Sequence, residues 1–205
     1  MLFDILALLS LLIVIFLLSR LANILPSLLA CLIRWKETMN LEASAKLSRD
    51  RDALAMAMLL PFCLIAVRFR LYDPGYMDGM SENLRLGIIC SVFVSYLFLR
   101  RLTFVIFRPG YGLHAYRTAD RSSYSFFILL TLILLFSGGL LSFCGMNSFA
   151  VRDAMIWISA GIYLLFLVRK MQIFMSSYSI FTAFLYLCAL EILPTGIMLV
   201  SAMIF

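Results

Sequence analysis

The chain has 205 residues, of which 64% are hydrophobic and 14% charged; 17 Lys+Arg stand against 11 Asp+Glu, a net charge of +6. Typical soluble chains are about 45–50% apolar and about 25% charged, so a soluble domain of this length cannot hide so much apolar surface from water. Composition thus excludes a soluble domain, a disordered chain and a polar repeat array, and it indicates an all-α, polytopic transmembrane helical bundle forming a single integral membrane domain over residues 1–205.

A hydrocarbon core about 30 Å thick asks for roughly 17–25 apolar residues per helix. Residues 2–19 meet that demand and end at Arg20. Asp4 stands where a cleaved signal would carry a basic region, so this run reads as a retained membrane helix. Residues 21–33 are apolar but short for a span, and hold Asn23 and Pro26. They fit an interfacial helix, a re-entrant piece or the kinked continuation of the first helix. Residues 34–52 turn polar, with Arg34, Lys36, Lys46, Arg49 and Arg51 against Glu37, Glu42, Asp50 and Asp52. Glu42 and Lys46 are four apart in the order that favours a helix, so this stretch reads as a partly helical cytoplasmic connecting segment.

Residues 53–67 form the next apolar segment, which Pro61 is expected to kink. Arg68 and Arg70 follow, then the turn signals Asp73-Pro74-Gly75 and Met77-Asp78-Gly79. Asp73, Asp78 and Glu82 make this loop acidic. Residues 84–99 are apolar, with Arg85 at the entrance; Arg100 and Arg101 stop the segment or snorkel from it, the latter leaving residues 102–107 to extend the helix into the interface. Arg108-Pro109-Gly110-Tyr111-Gly112 is a break. Residues 122–144 form a clear span in which Gly138-Gly139 lets a neighbour approach or loosens the helix. Residues 154–168 form the next, closed by Arg169-Lys170, and residues 180–205 the last, with Glu191, Pro194 and Gly196 inside it.

Placing 34–52, 100–121 and 169–170 on one face gathers twelve Lys+Arg there, against Arg68, Arg70, Arg85 and Arg152 on the other. The richer face is expected to be cytoplasmic. About six spans follow, with both termini periplasmic; if residues 21–33 cross as well, there are seven and the N-terminus moves inside. Basic residues dispersed at segment ends set topology and give no nucleic-acid patch. Tyr72, Tyr76, Tyr111, Tyr116, Tyr124 and Tyr178 lie near the expected boundaries and read as an aromatic belt.

Little chemistry is signalled. Cys31, Cys63, Cys90, Cys144 and Cys188 all lie in or beside apolar segments, without a Cys-x-x-Cys pair, and read as buried thiols. The single histidine, His114, argues against a multi-histidine metal or haem site within one chain. No P-loop, dinucleotide fingerprint, zinc-protease helix or nucleophile elbow is present, so neither cofactor nor metal is expected and an enzyme is disfavoured. Scattered methionines do not make a copper ladder.

The sharpest candidate is Glu191, near the middle of the last apolar segment. A carboxylate there must be neutral, paired or hydrated, which suits a proton relay or ion ligand, or a structural ion pair within the bundle. Pro194 lacks an N–H, so the Leu190 carbonyl should lose its usual partner; a carboxylate beside a broken helix suits ion binding better than either feature alone. A second candidate is the set His114, Arg117, Asp120 and Arg121, which would grip an anionic lipid or a phosphate if that stretch is helical.

The segment Phe184-Leu185-Tyr186-Leu187-Cys188-Ala189-Leu190-Glu191-Ile192-Leu193-Pro194 resembles the terminal signature of a family of polytopic inner-membrane proteins from Bacteroidota that has no assigned activity. That resemblance carries over Tyr186, Cys188, Glu191 and Pro194, and implies a bacterial inner-membrane setting without supplying a mechanism. The first expectation for function is a structural or accessory subunit of a membrane assembly. Its partners would be membrane lipids and another membrane protein or further copies of the chain. A small proton- or ion-coupled transporter centred on Glu191 comes second, and a lipid-headgroup enzyme using His114 and Asp120 third.

Overall fold

The computed structural model describes residues 2–77, 79–107 and 113–204. Asp78 of the acidic loop and the break at 108–112, with Tyr111, lie outside the described residues. Among the described residues all regular structure is helical, as the composition predicts.

Helix α1 runs unbroken over Leu2–Ile33. Residues 21–33 are therefore the continuation of the first helix and not a separate passage. Pro26 removes one backbone donor, but the turns around it bury Ile24, Leu28 and Cys31, and that packing holds the helix together. At 1.5 Å per residue such a helix is about 48 Å long, well beyond a hydrocarbon core of about 30 Å, so its last turns leave the apolar layer. The polar segment folds as α2 (Trp35–Ala43) and α3 (Ala45–Ala57), separated at Ser44. Ser44 is extended, and its hydroxyl caps α3 by accepting from the Leu47 N–H.

The expected passage at 53–67 is split between α3 and α4 (Leu59–Arg68). Pro61 explains the split. It cannot donate to the Ala57 carbonyl and its ring crowds that carbonyl, so the helix turns at Met58. Helix α4 is the inner helix of the bundle: Cys63, Leu64, Ile65, Ala66 and Val67 are all buried. It returns the chain to the start of α1, where Phe3 and Leu6 pack on Cys63, Leu64, Met77 and Leu86. The loop that follows closes on Arg85, which is buried, lies 3.6 Å from Asp73 and donates to the Met77 carbonyl at 3.1 Å.

Helices α5 (Glu82–Ile106), α6 (Leu113–Phe143) and α7 (Ser148–Met175) then alternate in direction. Gly145, at φ +70°, makes the turn between α6 and α7, a conformation that favours glycine. The last passage is α8 (Ile180–Leu187), a π turn over Cys188–Ile192, and α9 (Leu193–Ile204). Contacts fix the two ends. Tyr72 and Ser201 share a hydrogen bond of 3.0 Å at one end, while Arg169 donates to the Leu32 carbonyl at 2.9 Å at the other. Five of the described helices are long and apolar enough to cross a membrane. The broken α3–α4 pair makes the sixth passage.

Large apolar side chains cover the outside, among them Phe16 at 81% and Trp157 at 77% exposure, which in water would be untenable and in lipid is matched. The chain is a multi-span membrane protein whose outer faces contact lipid. Tyr116 and Tyr178 depart from the expected aromatic belt: both are buried, because they stack with Phe104, Phe174 and Tyr186 inside the bundle.

Helix α6 meets its neighbours closely at Gly138, where an added Cβ would lie 3.0 Å from the Phe69 ring and 3.2 Å from the Met155 methyl. Gly138→Val is expected to cost about 1–3 kcal/mol of stability through overpacking. Gly161→Val, where nothing lies within 4 Å, serves as the control and is expected to leave unfolding in detergent unchanged.

Candidate functional site

The site is built where four elements converge: α5, the first half of α6, the end of α7 and the π turn. Helix α7 does not stop at Arg169-Lys170. The apolar residues Ile173 and Phe174 carry it another turn and pull it inward, so Lys170 becomes 1% exposed. Helix α5 likewise continues past Arg100 to Ile106. Both cations, expected at the membrane boundary, lie inside the bundle.

Glu191 is their counter-charge. It is 1% exposed, and Lys170 Nζ binds its Oε1 directly. Arg100 reaches the same oxygen at 3.1 Å. The Arg100 guanidinium also lies 3.3 Å from Asp120 Oδ1, and Arg101 lies 3.6 Å from Asp120 Oδ2. Ser123 Oγ accepts from Arg100 and, at 3.4 Å, from Lys170. Leaving Arg101 aside, since its side chain is largely exposed, two cations and two anions balance in the interior. Burial of any one charge alone would carry a heavy desolvation penalty; each is offset only by the others.

The helix geometry at Glu191 follows from Pro194, which is itself buried. Without an N–H it cannot donate to Leu190, and the helix widens into a π turn in which the Leu193 N–H donates to the Cys188 carbonyl, five residues back. The expected break is thus a widened turn and not an interruption. Tyr163 donates to the Glu191 carbonyl at 3.2 Å, tying the turn to α7. Tyr186 faces the Tyr116–Tyr178 cluster, and Cys188 is half-buried.

Beside the network lies a cavity of about 200 Å³. Arg100, Glu191 and Ser123 stand in its wall, as do Tyr96, Tyr163 and Thr195. Apart from Tyr124, the remaining wall is apolar and rich in phenylalanine.

The four residues proposed to grip a phosphate or lipid are not brought together. Asp120 turns inward to Arg100, whereas Arg121 turns to Glu42 at 3.0 Å and Ser48 at 3.4 Å. His114 and Arg117 are exposed. Arg121, itself exposed, belongs to a second network, in which Arg51, wholly buried, binds Glu42 and Asp52. Arg100, Lys170 and Ser123 are members of the site that sequence reasoning left out. A signal existed: each cation is followed by another apolar turn, Leu102–Ile106 after Arg100 and Met171–Met175 after Lys170, which continues the helix past the charge.

Among the described residues, no three His, Cys, Asp or Glu side chains gather into a group able to hold a metal ion. Comparison with known proteins gives no match: no family model fits the sequence, and neither the curated proteins nor the solved structures resemble it significantly.

Glu191→Gln leaves Lys170 and Arg100 buried with one counter-charge fewer, and a loss of about 3–5 kcal/mol is expected. Adding Lys170→Met should recover part of that loss, since the unpaired ammonium goes with it. Reversible unfolding of the single and double variants in detergent micelles measures the coupling; purely additive losses would show that the two side chains do not interact.

Proposed function

We propose that this multi-span protein is an accessory subunit of a membrane assembly, set in a bacterial inner membrane with both termini periplasmic. The observation that carries the reading is on the lipid-facing side of α5. Gly87, Ser91 and Ser95, spaced four apart, are all exposed there, and nothing lies within 4 Å of the Gly87 Cβ position. Small and hydroxyl-bearing residues at this spacing are how membrane helices approach one another closely, and they offer little to lipid tails. The expected occupant is a transmembrane helix of a different protein. The charge network supports the same role: its cations and anions are satisfied by one another, as suits a structural staple. The resemblance of residues 184–194 to a Bacteroidota membrane-protein family belongs to this proposal and supports the inner-membrane setting.

A partner is expected to copurify with the chain in stoichiometric amount in mild detergent, and to be lost on Ser91→Leu while the variant unfolds like the parent. A lone monomer in the same detergent, or a partner retained by Ser91→Leu, would sink this reading.

One observation favours a proton- or ion-coupled transporter instead: Glu191 belongs at once to the charge network and to the cavity wall, at a widened helix turn. Under that reading, proteoliposomes given a pH gradient accumulate at least one compound from a small-molecule extract, and Asp120→Asn or Glu191→Gln abolishes the uptake. No uptake by the parent protein would exclude it.

A further inference from the structure

We propose that the cavity between α3, α4, α5, α6, α7 and the last passage binds an uncharged, lipid-soluble molecule with a flat ring that carries carbonyl or hydroxyl oxygens, of the quinone class. Four features of the cavity lead there, and none depends on a protein partner. The first is size. A cavity of about 150 Å³ accommodates benzene, so the 200 Å³ present here accommodates a substituted ring. The second is shape. Phe62, Phe93 and Phe127 form a cluster of rings in the wall, with centroids 5.0, 5.3 and 5.6 Å apart, and such faces receive a planar ring by offset stacking.

The third is the distribution of polar groups, most of which sit together, with Tyr124 apart beside Arg51. Tyr96 and Thr195 face each other at 3.5 Å, a contact at the limit of a hydrogen bond, so either hydroxyl is available to a ligand oxygen. The Arg100 guanidinium stands beside them. The charges there are already neutralised by one another, so a ligand ion would gain no net counter-charge while losing its hydration. A neutral oxygen, by contrast, accepts a hydrogen bond and disturbs nothing. The fourth is access. Met56, in the cavity wall, is 68% exposed on the outer surface of the bundle, so the cavity reaches the side of the protein where lipid lies. An apolar ligand with a tail enters from the bilayer by that route.

The test uses the full chain in nanodiscs of phosphatidylcholine, with a decyl-benzoquinone carrying a photoreactive diazirine on the first carbons of its tail, next to the ring. After irradiation, label is expected on peptides that line the cavity, around Phe93, Phe127 and Met198. Unlabelled decyl-benzoquinone should reduce it about ten-fold, whereas decanoate and decyltrimethylammonium at the same concentration should not. Leu97→Trp and Thr195→Met, which narrow the cavity from two sides, should each remove the label while retaining the parent's unfolding temperature. Equal protection by either charged competitor would overturn the ligand class. Label spread over the lipid-facing surface and insensitive to competition, or label that survives both narrowed variants, would overturn the site itself.

Discussion

The interior of this bundle is organised by the cost of burying charge. Arg100, Lys170, Asp120 and Glu191 come from four separate elements, and in an apolar interior none is tolerable by itself. The packing of α5, α6, α7 and the last passage brings them together. Shifting any helix by a turn would move its charge about 5 Å along the axis and strand it among apolar side chains. Apolar contacts between membrane helices are less selective, because a leucine packs on another leucine about as well as on a lipid tail. The charges therefore specify register, and the surrounding aromatic packing fills in around it.

The π turn belongs to the same logic. Pro194 relaxes the backbone where Glu191 must meet both Lys170 and Arg100, and Tyr163 secures the widened turn through the Glu191 carbonyl. The cavity is a consequence. The phenylalanine rings on one side and the fixed ionic groups on the other do not collapse onto each other, so space remains between them. Polar networks also close each end of the bundle: Glu42, Arg51 and Arg121 join α2, α3 and α6, while Asp73 and Arg85 draw the loop after α4 onto α5. With so many charges engaged internally, the outward faces of the long helices are left to lipid and to the small-residue stripe of α5.

Much of the fold was legible along the chain. Apolar runs long enough to span, separated by charged and turn-forming residues, pointed to a helical membrane bundle. Pro61 marked the place where one passage is broken, and Pro194 marked the widened turn. The site was legible only by halves. Glu191 stood out because an acid within an apolar run has few explanations. Lys170 and Arg100 did not, since a cation at the end of an apolar run looks the same whether it snorkels to the interface or turns inward. Arg121 and Asp120 are adjacent in sequence but roughly 100° apart around a helix, which sends them to different networks and dissolves the cluster that linear proximity suggested.

Sequence alone determined the solvent of this protein and the kind of element it uses, because hydropathy and helix length are properties of a single segment. It determined as well that Glu191 requires a partner, since desolvation acts on one group at a time. Only the tertiary structure decided which cations answer it, that residues 21–33 extend the first helix, and that a cavity opens beside the charges. Those outcomes depend on the rotation and depth of each helix against its neighbours, and such quantities exist only once the helices have packed.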